Sequence, residues 1–447
     1  MKEIKLAIIG GGSRLWAIQF LKDVTLQDKL RVNFSLYDIE KQAALNNVAV
    51  GNEIFKANNK EGQFTISVED TLEDSLKGAD FVIITIEPGI MDCRYGDLVL
   101  PDQYDILQTV GDTTGPGGIM RARRALPIFF EFGKAIEKCC PNAWVINYTN
   151  PMTLCTAALY KAFPQIKALG CCHEVFHVQE YIASLVGEWF NIPQPDRREI
   201  KIDVTGINHF TFITKALYKG EDLMPRIKQL SLDPASYPDL TEYSKDLIAN
   251  EKYFTCQHKV ALSFLRDYGA LGAAGDRHLA EFVPFYLQDE ETPLRDGFTR
   301  TPYEFRVKRD IEKKQRVYKG EDLIAKPSDE EGLDILLSLM GERTLRTNIN
   351  RPNLGQISYL PKGRIVESNG FISENSIEAI VSQDPPVGVQ NLVRRISDEQ
   401  EVILNAIWDG DDERLFEAFL TDPLVNLPRD KARELFDKMM VASELKY

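Results

Sequence analysis

The first forty residues constrain this chain more than any other stretch. Residues 4–9 (IKLAII) are a continuous apolar run, the pattern of a strand buried on both faces. Gly10, Gly11, Gly12 and Ser13 follow, and then WAIQFLKDV with helical spacing. A second strand, VNFSLYD over 32–38, ends at Asp38. Strand, Gly-rich turn, helix, strand and acid stand in the order that a dinucleotide site needs. Glycines let the backbone approach a pyrophosphate, whose charge sits at the helix N-terminus. An acid at the end of the second strand accepts from the adenosine ribose hydroxyls, so Asp38 favours NAD over NADP. Against the GxGxxG pattern, Gly10 and Gly12 fit, and Leu15 stands at the third glycine. A purely structural turn is the competing reading.

Two more buried strands follow, ADFVIITI at 79–86 and WVINYTNP at 144–151. Ligands of an open parallel sheet sit beyond the carboxyl ends of its strands. Asn147, Thr149 and Asn150 are therefore expected to face a cleft, unless they serve only the turn before Pro151. Between these strands, TVGDTTGPGGIMRARRALP (109–127) suits a loop over a cofactor or substrate, followed by a helix. One of Arg121, Arg123 and Arg124 can face a ligand anion; a solvated face is the alternative. Next, IKALGCCHEVFHVQEYIASLV (166–186) reads as strand, turn and helix, and DVTGINHFTFITKALY (203–218) as strands around an Asn-His turn. The Cys172-His173 pair and His209 can meet as metal ligands, with zinc favoured by softness alone. A buried cysteine and a hydrogen-bonded histidine are the alternative.

Length and charge narrow the function classes. At about 150 residues per domain, 447 residues predict two or three domains, or one α/β body with a second lobe. Hydrophobic content of 44% and charged content of 27% exclude a disordered or fibrous chain. A net charge of −14 argues against nucleic acid or an anionic membrane as partner. No apolar run approaches the ~20 residues of a membrane span. The amino terminus lacks a secretory pattern, so a mature, cytoplasmic protein is expected. Its seven cysteines show no disulfide framework.

Taken in order, GGGS (10–13), VGDTTGPGGIMRARRALP (110–127), NYTNPM (147–152), GCCHEV (170–175) and GINHF (206–210) resemble glycoside hydrolase family 4. AGDRHLAEFVP (274–284), NRPNLGQI (350–357) and FLTDPLV (419–425) extend the resemblance over the whole chain. The family is NAD- and divalent-metal-dependent and stands apart from two-carboxylate hydrolysis. The Cys172-His173-Glu174-Val175 motif is similar to that of members acting on α-linked uronic acids, closest to the α-galacturonide type. The resemblance implies oxidation at sugar carbon 3 by NAD⁺, proton removal at carbon 2, elimination of the aglycone, water addition and re-reduction. It implies Mn²⁺ held by Cys172 and His209, with Cys171 structural. His173 is then the proton donor, Asp276 the base, and Asn150 a contact to substrate hydroxyls. Arg277, with His278 beside it, is the candidate for the uronate carboxylate, on the strength of bidentate geometry. Gly10, Gly11, Gly12, Ser13, Asp38 and Asn147 are the cofactor contacts. Where many members carry Arg after the third strand, this chain has Glu87-Pro88, which argues against phosphosugars.

The expected architecture is a Rossmann-like α/β unit over 1–200, like lactate and malate dehydrogenases. An α/β catalytic and oligomerisation unit follows over 201–447, with a shared cleft. RVKRDIEKKQR (306–316) reads as an exposed helix, and GQISYLP (355–361) and GRIVESN (363–369) as strands. The partner is a small uronide or oligouronide, with neither nucleic acid nor membrane, and the chain assembles as a dimer or tetramer. Alternatives are an α-glucuronidase or neutral α-glycosidase of the same family, a hydroxyacid dehydrogenase, and a non-catalytic NAD sensor.

Overall fold

In the computed structural model, which describes residues 2–328 and 330–444, the apolar runs become strands of one mixed sheet. Its parallel part comprises β1 (Lys2–Ile9), β2 (Leu30–Tyr37), β3 (Phe64–Val68), β4 (Phe81–Ile84), β5 (Trp144–Asn147) and β6 (Lys167–Gly170). They lie side by side in the order β3-β2-β1-β4-β5-β6, the doubly wound dinucleotide-binding arrangement. The strand order reverses between β1 and β4, where such folds open a crevice beyond the carboxyl ends.

Alternate residues of β1 explain its unbroken apolar run. Leu6 and Ile8 enter a core with Phe20 and Leu21 of the Trp16–Thr25 helix. Ala7 and Ile9 enter a core with Ile119, Leu126 and Phe129 of the Gly115–Cys139 helix on the opposite face. Both faces are covered, so neither tolerates a polar residue.

The sheet continues antiparallel through β7 (Ile200–Ile207), β8 (Phe210–Tyr218), β9 (Glu221–Asp222), β10 (Leu271–Gly272), β11 (Leu345–Pro352), β12 (Ile365–Ser373) and β13 (Ser376–Ala379). Strand β11 pairs β6 at Asn350–Gly170, so the two halves share one continuous sheet. The expected strand at 355–361 is a loop instead. The buried Asn353 side chain donates to the carbonyls of Ile357, Leu360 and Pro361 and accepts from Gly355 and Ile357, closing that segment on itself. The basic run at 306–316 does form a helix, Tyr303–Gln315, but one of its arginines points inward, as described below.

The Gly-rich turn after β1 is built tightly. Gly10 has φ +87°, and a Cβ there would lie 2.1 Å from the Thr85 carbonyl oxygen. The Asn47 amide donates to the carbonyls of Gly11 (2.7 Å) and Ser13 (2.9 Å). Gly62 shares a positive φ of 76° but has open space where a Cβ would go. Gly10→Ala is therefore expected to cost about 2 kcal/mol more than Gly62→Ala, since it adds a clash to the shared backbone strain. Denaturant midpoints of the two variants check this; equal losses would mean the turn yields without cost.

Candidate functional site

The crevice between β1 and β4 is lined by backbone that suits a dinucleotide. The Trp16–Thr25 helix begins at Leu15 with no side-chain cap, leaving its first N–H groups for a ligand anion. Asp38 fixes the turn as well as closing β2: its oxygens accept from Gly12 N (2.8 Å) and Glu40 N (2.9 Å). Each oxygen keeps a lone pair for a ribose hydroxyl. Ile39, next along, is 72% exposed, an apolar surface where a base would lie. Asn147 is turned inward instead. Its amide holds the following turn, accepting from Thr149 N and donating to Thr149 O, so it shapes the cleft from behind.

A two-residue hairpin joins β7 to β8, with Ile207 paired to Phe210. His209 occupies it at φ 65°, a left-handed position that histidine adopts more readily than most residues. This projects its imidazole towards Asp112 and His278. The three offer donor atoms all within 4.8 Å of one another. Thr113 Oγ1 lies 2.8 Å from His209 Nδ1, and the two imidazole rings sit 3.8 Å apart. His278 Nδ1 and Asn150 Oδ1 are buried without partners, while Asn150 Nδ2 donates to Asp112 Oδ2 at 3.3 Å. A carboxylate, two imidazoles and orphaned acceptors make a donor set that fits a divalent ion. Cys172 stands beside the side chain of Asn208, the residue before His209, and is not among the three. Burial, with Glu367 and Glu174 nearby, keeps its thiol protonated in the metal-free chain.

On the other side, His173 stacks on Trp16, and its Nδ1 lies 3.3 Å from Glu330. Burial works against an imidazolium there, but the Glu330 hydrogen bond and Glu174 outweigh it and raise the His173 pKa. Glu174 joins the two sides. It lies 3.9 Å from His173 and 3.7 Å from His278, and it accepts from Gly275 N at 2.7 Å. Despite burial, the surrounding histidines hold its pKa at about 2. His177, one turn beyond His173, completes a second donor group with it and Glu174.

Asp276 is buried and accepts from the N–H groups of Lys259, Val260 and Ala261 at 2.9–3.1 Å, so it caps the Lys259–Tyr268 helix from outside. Burial lifts its pKa to about 6. Arg277 donates to Thr109 O at 3.1 Å and Thr301 Oγ1 at 2.5 Å, and its Nε is unpartnered. His278 sits in the donor set, not with Arg277. Glu87 is engaged by Arg121 through two contacts, one of them 3.0 Å, while Arg124 pairs with Asp97 at 2.6 Å. Neither arginine faces solvent, and Arg123 lies 3.7 Å from Asp412. Asp112, Glu174 and Glu330 escaped the sequence reading as site residues. The first two lie inside the GDTTGPGG and CHEV motifs, and only Glu330 carried no signal.

The fold and this site define a class: a dinucleotide-type α/β protein with a partly buried histidine–carboxylate donor set at the end of its sheet. Residues 5–188 match the model of family 4 glycosyl hydrolases, and residues 204–425 match the family 4 glycosyl hydrolase C-terminal domain. The chain belongs to glycosyl hydrolase family 4 and is an O-glycosyl hydrolase. It is 42% identical to the alpha-galacturonidase of Bacillus subtilis (strain 168) over 445 residues, covering 98% of this chain and 97% of that protein. A solved Bacillus subtilis structure provisionally named a glucosidase superposes with TM-score 0.90 at 42% identity, covering 98% of this chain and 100% of the other. The 6-phospho-beta glucosidase of Thermotoga maritima, 19% identical, shares the fold with TM-score 0.74 over 98% of each chain. Among the described residues, no helix is long and apolar enough to cross a membrane.

His209 gives the site a pH signature. Burial, then His278, lowers its pKa to about 3, against about 6.5 for an unfolded histidine. The unfolded chain therefore binds the extra proton, and the stability due to neutral His209 is complete above the unfolded value and lost on acidification towards the folded one. His258, lowered to about 4 by burial and His177, adds in the same direction. Acidification of the metal-free protein from about pH 7 to about pH 5 is expected to remove about 2 kcal/mol through His209. His209→Gln should flatten that limb of the denaturation profile; an unchanged slope would show that His209 already titrates normally.

Proposed function

We propose that this chain hydrolyses α-linked galacturonides with NAD and a divalent ion, Mn²⁺, as cofactors. The observation that carries the reading is its full-length likeness to the alpha-galacturonidase of Bacillus subtilis. The Thermotoga maritima relative was solved with manganese, NAD⁺ and glucose-6-phosphate, which supports the same cofactors here. When bound, NAD⁺ would take and return hydride at sugar carbon 3, and the ion would hold the neighbouring sugar oxygens and stabilise enolate charge. In this reading residues 1–200 form the dinucleotide unit and 201–447 the catalytic and oligomerisation unit.

The side chains divide this work by their surroundings. Gly10, Gly11, Gly12, Ser13 and Asp38 hold the dinucleotide. Asp112, His209 and His278, with Cys172 beside Asn208, hold the ion, and the carboxylate adds a hard ligand that suits Mn²⁺ better than a purely soft set. Asn150, with a free amide oxygen, binds a sugar hydroxyl. His173, whose pKa Glu330 and Glu174 raise, donates to the departing glycosidic oxygen. Asp276, lifted to about 6 and fixed by three N–H groups, accepts the carbon 2 proton. Arg277 offers its unpartnered Nε to the uronate carboxylate. The substrate is a small uronide or oligouronide. We place the protein in the cytoplasm, where its seven free cysteines would stay reduced, and expect it to assemble as a dimer or tetramer.

Aryl α-galacturonide, α-glucuronide and neutral α-galactoside, assayed with NAD⁺ and Mn²⁺, test this reading. The galacturonide should be cleaved fastest, and removal of NAD⁺ should stop cleavage. EDTA should abolish activity and Mn²⁺ restore it. Deuterium at carbon 2 should wash out into water. Undiminished cleavage by dinucleotide-free protein would refute the mechanism, and NADH formed one-for-one with product would mark a dehydrogenase.

A further inference from the structure

The segment Thr109–Gly111 presents its two sides to opposite charges. Its three N–H groups all donate to Glu281 Oε1, at 2.7, 2.8 and 2.9 Å. Its three carbonyls each accept from a different arginine: Thr109 O from Arg277 at 3.1 Å, Val110 O from Arg306 at 3.1 Å and Gly111 O from Arg94 at 3.4 Å. Arg94 has carboxylates near it, Glu87 at 3.8 Å and Asp97 at 3.9 Å. Among the described residues, Arg277 and Arg306 make no such ion pair. Both have a buried Nε with no partner. Glu281 Oε1 already takes three N–H groups, and Asp112 belongs to the donor set.

Two half-buried guanidinium groups with no ion-pair partner, each with a buried, unpartnered Nε–H, leave donors that an arriving anion can take. Burial and the positive charges of Arg94 and Arg277 lower the Arg306 pKa to about 9, as expected for an excess of positive charge. The next residue along the segment is Asp112, in the donor set. This strap therefore holds both guanidinium groups and leads directly into the donor set.

We propose that Arg306 joins Arg277 in a two-guanidinium clamp for the carboxylate of the uronide, and that Arg306 determines specificity for an acidic sugar. The proposal rests on the α-galacturonide reading above, and it adds a residue from the helix whose sequence looks solvent-facing. A planar, fork-shaped donor pair matches a carboxylate and leaves a neutral hydroxymethyl group at a disadvantage. The strap carbonyls orient the two forks, and the substrate supplies the missing anion.

The test is the specificity ratio of the full-length enzyme, loaded with NAD⁺ and Mn²⁺. Arg306→Met is expected to lower the preference for aryl α-galacturonide over aryl α-galactoside on the order of 100-fold, mostly through KM. Arg306→Lys, which keeps the charge but not the fork, should recover part of it. A variant that lost both substrates in proportion would show that Arg306 only supports the strap, and an unchanged ratio would remove it from the site. If the unsubstituted enzyme fails to cleave galacturonide, the substrate reading falls. The clamp is then decided by calorimetric binding of free galacturonate against galactose. A carboxylate preference that Arg306→Met abolishes supports the clamp, and equal affinities in both proteins overturn it.

Discussion

The site depends on the convergence of three successive N–H groups on one carboxylate. Glu281 accepts from Thr109, Val110 and Gly111 at once. Thr109–Gly111 lies outside any helix or strand, so this contact fixes an irregular backbone. Thr109 Oγ1 adds a hydrogen bond to the Arg277 carbonyl, tying the strap to the segment that carries Asp276 and His278. The consequences run along the chain. Asp112 is delivered to His209 and His278, and Thr113 to the His209 ring. The Gly115–Cys139 helix then begins with its first N–H capped by Asp422 at 2.9 Å. Loss of the Glu281 carboxylate would leave three buried N–H groups unpaired, a cost of several kcal/mol.

What sequence alone reveals follows from how local each signal is. The run of β1, the glycines after it and Asp38 lie within forty residues, and the periodicity and turn chemistry that mark them are local properties. The family-like motifs carried the reading to Cys172, His173, His209 and the Asp276–His278 segment. The donor set is harder to read, because Asp112, His209 and His278 are separated by about a hundred and about seventy residues and meet only through the strap and the β7–β8 hairpin. Glu330 lies in a charged stretch with no periodicity, yet it stands against His173. Arg306 sits in a run that reads as solvated, and only the packing of its helix against the strap turns it inward. The segment at 355–361 has alternating residues suited to a strand, and a single buried Asn353 side chain overrides that preference.

The cationic surroundings of the cleft also show how this chain departs from its phosphosugar relatives in physical terms. Glu87 stands after β4, where it takes up Arg121 and comes within 3.8 Å of Arg94. Buried arginines that would otherwise favour a dianion are thereby neutralised on the side of the cleft near β4. On the other side of the strap, Arg277 and Arg306 make no ion pair among the described residues and each keeps an unpartnered Nε. In the clamp we propose, the position of these two unpaired arginines, not the total charge, would favour one carboxylate over a phosphate.

The two site histidines divide their roles by environment. His173 and His209 share the influence of the same Glu174 carboxylate, yet their pKa values move in opposite directions. His209 is fully enclosed, with a second imidazole 3.8 Å away, and its charged form is excluded, so it presents a lone pair. His173 is partly open, stacks on Trp16 and meets Glu330 at 3.3 Å, which favours its charged form. In the proposed mechanism, a pair of like groups driven apart in this way would separate ligand from acid. Glu330, and then Glu174, raise the pKa of the open imidazole, while burial and the neighbouring ring lower that of the closed one despite the same Glu174 carboxylate.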